Sequence, residues 1–154
     1  MSASTRGLRD LAESDLPALI DLWAAAWTAT GIPIDFDARR AWIAERLGAL
    51  LAGGSEIVVG LDANERPAGF ATIDPRSGSL DQLCVAPAER GSGLAIALID
   101  EAKRRSPGLI DLEVNEANPR ARRFYEREGF AIVGGGVSPH SGLPTLKLRW
   151  RADG

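Results

Sequence analysis

Leu80-Asp81-Gln82-Leu83-Cys84-Val85, then Ala86-Pro87-Ala88-Glu89, then Arg90-Gly91-Ser92-Gly93-Leu94-Ala95 and Ile96-Ala97-Leu98-Ile99, read as a strand, a glycine-rich turn and the opening of a helix. That order leaves backbone N–H groups without partners at a helix N-terminus, where the macrodipole adds partial positive charge. Such an end binds phosphate, and glycine supplies the left-handed backbone and close approach that a wrapped pyrophosphate requires. A purely structural turn is the competing reading of the same residues. Two common phosphate motifs are excluded, because G-x-x-x-x-G-K-[ST] is absent and Arg90–Ala95 is too short for G-x-G-x-x-G.

Working outward, Leu109–Val114 is a second strand, reached through the crossover helix that runs from Arg90 to about Arg105, so it is expected parallel to Leu80–Val85. Asn118 sits at an N-cap and Pro119 at the first helical position, so a helix is expected over Pro119–Glu128, with Gly129 at its C′ position. Phe130–Val133 and Thr145–Trp150 close the sheet, and Gly134–Pro144 between them is long and glycine-rich, suited to a mobile rim for a binding site. Upstream, Leu8–Leu11 is a short strand. Ser14-Asp15 caps a helix carrying Leu16, Leu19, Ile20, Trp23 and Trp27, and Asp37 caps another carrying Trp42, Ile43 and Leu47, ended by Gly53-Gly54. Glu56–Leu61 and Ala68–Ile73 form a hairpin that continues into Leu80–Val85 as an antiparallel meander.

The 154 residues suit a single domain, 1–154. Hydrophobic residues at 45% and charged residues at 25% describe a globular protein, and a net charge of −3 lacks the basic field of a nucleic-acid binder. The lone Cys84 precludes an intrachain disulfide, and a single histidine and cysteine cannot build a structural zinc site, so no metal is expected. No apolar run approaches the length of a membrane span, no signal pattern opens the chain, and a cytoplasmic location is the default expectation.

Arg90-Gly91-Ser92-Gly93-Leu94-Ala95 resembles the [QR]-x-x-G-x-[GA] acetyl-CoA pyrophosphate motif of the GNAT N-acetyltransferase superfamily. Leu112–Ala121, followed by Phe124-Tyr125 and Gly129-Phe130, resembles its second signature, in the family's order and spacing. The resemblance implies an α/β (α+β) fold: a mixed, mostly antiparallel sheet of about six to seven strands, about four helices and a splayed parallel strand pair. It implies acetyl-CoA as cosubstrate, its pantetheine along Leu83, Cys84 and Val85, its pyrophosphate on the amides of Arg90, Gly91, Ser92, Gly93, Leu94 and Ala95, and a contact from Asn118. A β-bulge near Leu83 or Cys84 would aim an N–H at the thioester carbonyl. Tyr125, the only tyrosine, falls where N-x-x-A-x-x-x-Y puts a general acid; the alternative is a core aromatic beside Phe124.

The implied reaction is direct acetyl transfer to a primary amine of a small molecule or peptide, in a ternary complex. A non-catalytic acyl-CoA-binding module with the same fold is the alternative. The loop holding Asp35 and Phe36 and the Gly134–Pro144 loop with His140 would wall the acceptor, with His140 either near the acceptor or at the surface. Trp23, Trp27 and Trp42 are expected to pack the first two helices onto the sheet. Some family members have a glutamate near the start of the motif strand, where this chain has Ser79; the base stays open, with Asp81 and Glu113 the nearby carboxylates. Homodimers are frequent in the family.

Overall fold

The computed structural model describes residues 7–139 and 141–152. Among these residues seven strands form two antiparallel sheets. The first has the order β1 (Leu8–Asp10), β2 (Glu56–Leu61), β3 (Pro67–Ile73), β4 (Leu83–Val85); the second has the order β5 (Leu109–Asn115), β7 (Pro144–Arg151), β6 (Ala131–Val137). Helices α1 (Leu16–Thr28) and α2 (Arg40–Ala52) precede the hairpin, α3 (Leu94–Arg105) crosses from β4 to β5, and α4 (Pro119–Arg127) joins β5 to β6.

The central strands are covered on both faces. Ile57 and Val59 of β2 belong to the core that α1 and α2 build with Trp23, Ile43 and Leu47, while Val58 packs on the other face against Leu94 and Leu98 of α3. This alternation is the period of two that sends successive side chains to opposite faces. Leu94 lies close over two glycines: a Cβ on Gly60 would stand 2.7 Å from Leu94 Cδ1, and one on Gly69 would stand 2.9 Å from the Cys84 carbonyl. Their missing side chains let the first turn of α3 sit on the sheet. That seating fixes the glycine-rich turn before α3 relative to β4.

The expected parallel pair between β4 and β5 is reduced to its first step. Ser79 and Asp111 make an isolated parallel bridge, with the Leu80 N–H donating to the Asp111 carbonyl (2.9 Å) and the Asp111 N–H to the Gly78 carbonyl (2.8 Å). Beyond it the strands splay, and β4 is confined to Leu83–Val85 rather than starting at Leu80. The cause is a bulge. The Thr72 N–H donates to the Gln82 carbonyl and the Asp74 N–H to the Ser79 carbonyl, so two steps on β3 face three on the opposing chain. The buried Thr72 closes it, its Oγ1 accepting from the Asp81 (3.2 Å) and Gln82 (3.0 Å) N–H groups. The irregularity thus lies at Leu80–Gln82, before the Leu83 or Cys84 expected from sequence. At the apex, Gly78 has φ +79, and a Cβ there would stand 2.4 Å from the Leu109 carbonyl oxygen.

Two caps differ from the sequence reading and one agrees. Asp15 does not cap α1; its buried carboxylate accepts from the Ala12 N–H (2.8 Å) and from both ends of the Arg9 guanidinium (2.6 and 2.9 Å), tying β1 to the turn before α1. Asp37 opens a 3-10 turn and binds Arg40 Nε (3.1 Å), so α2 begins at Arg40. Asn118 caps α4 as expected, accepting from the Ala121 N–H at 3.2 Å. The Asp15 carboxyl is held below its ordinary 3.8 by the Arg9 hydrogen bonds, against the opposing effect of burial. Because the folded state prefers the ionised form, this stabilisation is complete above about pH 4 and is lost as pH falls through the lower folded value. Asp15→Asn should lose about 1 kcal/mol at pH 7, a figure discounted for the half-exposed Arg9, and the difference from wild type should shrink in urea melts near pH 3.

Gly134–Val137, expected as loop, extends β6. Gly134, Gly135 and Gly136 pair with Lys147, Leu146 and Thr145 of β7, after a register shift between Ile132 and Gly134. All of β6 is exposed, so it needs no side chains to fill a core and tolerates glycine.

Candidate active site

The splay between β4 and β5 exposes backbone where a sheet would otherwise close. Cys84 pairs with Phe70 in register, and the Ala86 N–H donates to the Ala68 carbonyl. Backbone groups alternate between the two edges of a strand, so Leu83 and Val85 turn their N–H and C=O groups toward β5. Among the described residues the backbone bonds between the two segments involve Gly78, Leu80 and Asp111, before the strands part.

At the end of β4 the chain turns through Pro87–Glu89 into Arg90–Gly93, and Gly93 stands at the N-cap of α3. Gly91 and Gly93 have φ of +78 and +90, a backbone region unfavourable to residues with a Cβ, and open space lies where either Cβ would point. The N-cap glycine offers no side-chain cap, and the Ser92 Oγ accepts from the Leu94 N–H at 3.3 Å. Among the described residues the N–H groups of Gly91, Gly93, Ala95 and Ile96 have no protein acceptor, while the Ser92 N–H donates to the Glu89 carbonyl at 3.1 Å. The loop therefore presents a cluster of free donors at a positive helix end.

Inside the splay is a pocket of about 90 Å³ lined by Leu80, Asp81, Gln82 and Leu83 on one side and by Leu112–Asn115, Asn118, Ala121 and Tyr125 on the other. Tyr125 is buried, with edge-on ring contacts to Phe124 (5.2 Å) and Phe130 (5.4 Å), and its hydroxyl has no hydrogen-bond partner among the described residues. Burial first, and the nearby Cys84 second, push its pKa well above the ordinary phenol value, so it holds its proton at neutral pH. Burial alone pushes the Cys84 thiol up to about 12, which leaves it protonated and poorly suited as a nucleophile. The Asn118 Oδ1 is committed to its cap, and the side chain lines the pocket.

A larger cavity of about 550 Å³ adjoins this pocket and shares Trp27, Asp81, Gln82 and Glu113–Asn115 with it. Trp23, Trp27, Phe36 and Trp42 form an aromatic wall, in which Trp27 and Phe36 stack at 5.6 Å and Trp23 meets Phe36 edge-on at 5.6 Å. Ser138, Pro139 and Ser141 supply the facing rim. The tryptophans, assigned from sequence to helix packing, also line this cavity. Their concentration on α1 and α2, in a chain with 6% aromatic residues, was the available signal.

Phe36 lines the cavity; Asp35 is not part of its lining and instead accepts from the Ala38 N–H at 3.1 Å. His140 lies outside the described residues. The two carboxylates left open differ in availability. Asp81 is bound by Arg46 through both oxygens, its Oδ2 also accepts from Gln82 Nε2 (2.9 Å), and Gln82 Oε1 accepts from Trp23 Nε1 (3.2 Å). Glu113 is exposed, lines both cavities and among the described residues accepts one bond, from Thr145 Oγ1 at 2.8 Å.

A family model described as an acetyltransferase (GNAT) domain matches residues 37–151. The peptidyl-lysine N-acetyltransferase YiaC of Escherichia coli (strain K12) is 32% identical over 158 residues, covering 93% of this chain and 95% of that protein. Among solved structures, apo-form YjaB from Escherichia coli superposes with a TM-score of 0.75 at 23% identity, over 94% of this chain and 96% of that one. A phosphinothricin acetyltransferase from Sinorhizobium meliloti in complex with AcCoA gives 0.73 at 20% identity, over 94% and 87%. The two structures share the overall fold described above. With a family model over most of its length and a full-length relative at this identity, the chain belongs to the acetyltransferase (GNAT) family.

Proposed function

We propose that the chain, acting as one domain over residues 1–154, transfers the acetyl group of acetyl-CoA directly to a primary amine of a small molecule or peptide. The observation that carries this is the hydroxyl of buried Tyr125, without a partner among the described residues and set in the pocket between β4 and β5 that adjoins a second, aromatic cavity. The family membership, the name of the YiaC relative and the AcCoA complex of the S. meliloti protein support the same reading.

When bound, acetyl-CoA supplies an activated acyl thioester. The free amides of Gly91, Gly93, Ala95 and Ile96 take its pyrophosphate, and the outward-facing groups of Leu83 and Val85 pair with its amide chain as a neighbouring strand would. Tyr125 delivers its proton to the departing sulfur. A free thiol near 8.5 lies below a phenol near 10, a gap of about 2 kcal/mol against transfer.

The amine must lose a proton before or during attack, at about 4–5 kcal/mol for a lysine-like group at pH 7. Glu113 receives it, directly or through one water, because the residue lines both cavities and its carboxylate has a single protein donor among the described residues, whereas Asp81 is held by Arg46 and Gln82. The test is release of free thiol from acetyl-CoA across a panel of amines. Amine-dependent release is expected; saturable CoA binding with no acceleration by any amine would make the protein a binding module instead.

A further inference from the structure

The aromatic cavity contains one charge that acetyl transfer does not use. Two guanidinium groups line it, Arg39 and Arg46, and Arg46 is neutralised by Asp81. Arg39, at the N-terminal end of α2, has no ion pair or side-chain hydrogen bond among the described residues. Its nearest acidic neighbours in sequence are occupied: Asp37 binds Arg40, and Asp35 accepts from the Ala38 N–H. A guanidinium does not lose its proton in a protein, so this wall holds a fixed positive charge.

Arg39 lines only the outer cavity, whereas Glu113 also reaches the inner pocket beside Tyr125. The lining is therefore polarised, with the negative charge of Glu113 in the part shared with the inner pocket and the positive charge of Arg39 in the outer cavity alone, where the stacked Trp27 and Phe36 also stand. Building on the acetyl-transfer reading, we propose that the acceptor is a small ω-amino carboxylate with an aromatic or apolar body, and that Arg39 selects it by binding the carboxylate. The two ends of such a molecule can enter in one orientation. A carboxylate at the inner end would meet Glu113, and an ammonium at the outer end would meet Arg39. A lysine side chain within a peptide offers Arg39 no anion, and a lysine-rich peptide would bring it further cations. Arginine suits the task because its planar fork takes both oxygens of a carboxylate.

The test compares 4-(aminomethyl)benzoate with its uncharged primary amide and with Nα-acetyl-lysine methylamide, in two assays. One is kcat/KM by thiol release; the other is acceptor affinity in the presence of CoA, read as quenching of tryptophan fluorescence. The acid should exceed the amide about tenfold in both, the size of one partly solvated charge-assisted contact. That ratio should fall to about one in Arg39→Gln and survive in part in Arg39→Lys. Equal handling of acid and amide by wild type, a preference for the blocked lysine, or a preference that persists in Arg39→Gln would each overturn the proposal while leaving acetyl transfer intact. Tighter binding of the acid with no thiol release from any amine would support the carboxylate site and overturn the acetyl-transfer reading.

Discussion

Tyr125→Phe is expected to lower kcat about a hundredfold, equivalent to about 2.7 kcal/mol of transition-state stabilisation, and to leave the Kd for CoA within a factor of two. The substitution removes one oxygen. The ring's edge-on contacts with Phe124 and Phe130 remain, and no protein hydrogen bond to that oxygen is lost among the described residues, so the fold should keep its stability. The loss should fall on kcat and kcat/KM alike, because the phenol acts on the sulfur only as the thioester bond breaks. Stopped-flow thiol release with a saturating amine measures it. A kcat unchanged within a factor of three would remove Tyr125 from the chemistry and leave it a core aromatic. Because burial holds the phenol protonated, its own ionisation should not appear as a descending limb in the rate below pH 9.

Thr72→Val is expected to destabilise the protein by about 3 kcal/mol although valine has almost the same shape. The hydroxyl is the acceptor for two consecutive backbone donors, of Asp81 and Gln82, at the bulge that parts β4 from β5. Valine would leave both without a partner in a part-buried site, at about 1–3 kcal/mol each, with the lower end apt where water enters. Thr72→Ser keeps the acceptor, deletes one methyl and should lose about 1 kcal/mol. Urea melts of the two variants separate hydrogen bonding from packing. If valine proves no worse than serine, the hydroxyl does not hold the bulge. The same variant should raise the KM for acetyl-CoA, since the edge presented by Leu83 and Val85 is set by this bulge.

Legibility from sequence followed the range of the interactions involved. The α4 cap was readable because Asn118, Pro119 and Ala121 are neighbours in the chain and the Asn118 Oδ1 to Ala121 N–H bond spans three residues. The turn at Arg90–Gly93 was readable for the same reason, since a positive φ is a property of a single residue and Gly91 and Gly93 are the residues that adopt it without strain. The misreadings involved partners distant in sequence or a choice between nearby ones. Asp15 has the residue type of a cap, but Arg9 and the Ala12 N–H compete successfully for its carboxylate. Gly134–Gly136 have the composition of a loop and become strand because β7 offers a ladder to an edge that has no core to fill.

The candidate site divides along the same line. Residue order alone specified the glycine turn at Arg90–Gly93, the lone tyrosine seven residues after Asn118, and the family resemblance that both carry, because each rests on short-range spacing. Only the three-dimensional arrangement decided where β4 and β5 part, since that depends on a hydroxyl of β3 meeting amides nine and ten residues further along. It also decided which carboxylate is available: Arg46, 35 residues before Asp81, occupies that one, and Glu113 keeps a free side. Availability of a charged group depends on every partner within a few ångströms, and those partners are brought together by packing rather than by adjacency along the chain.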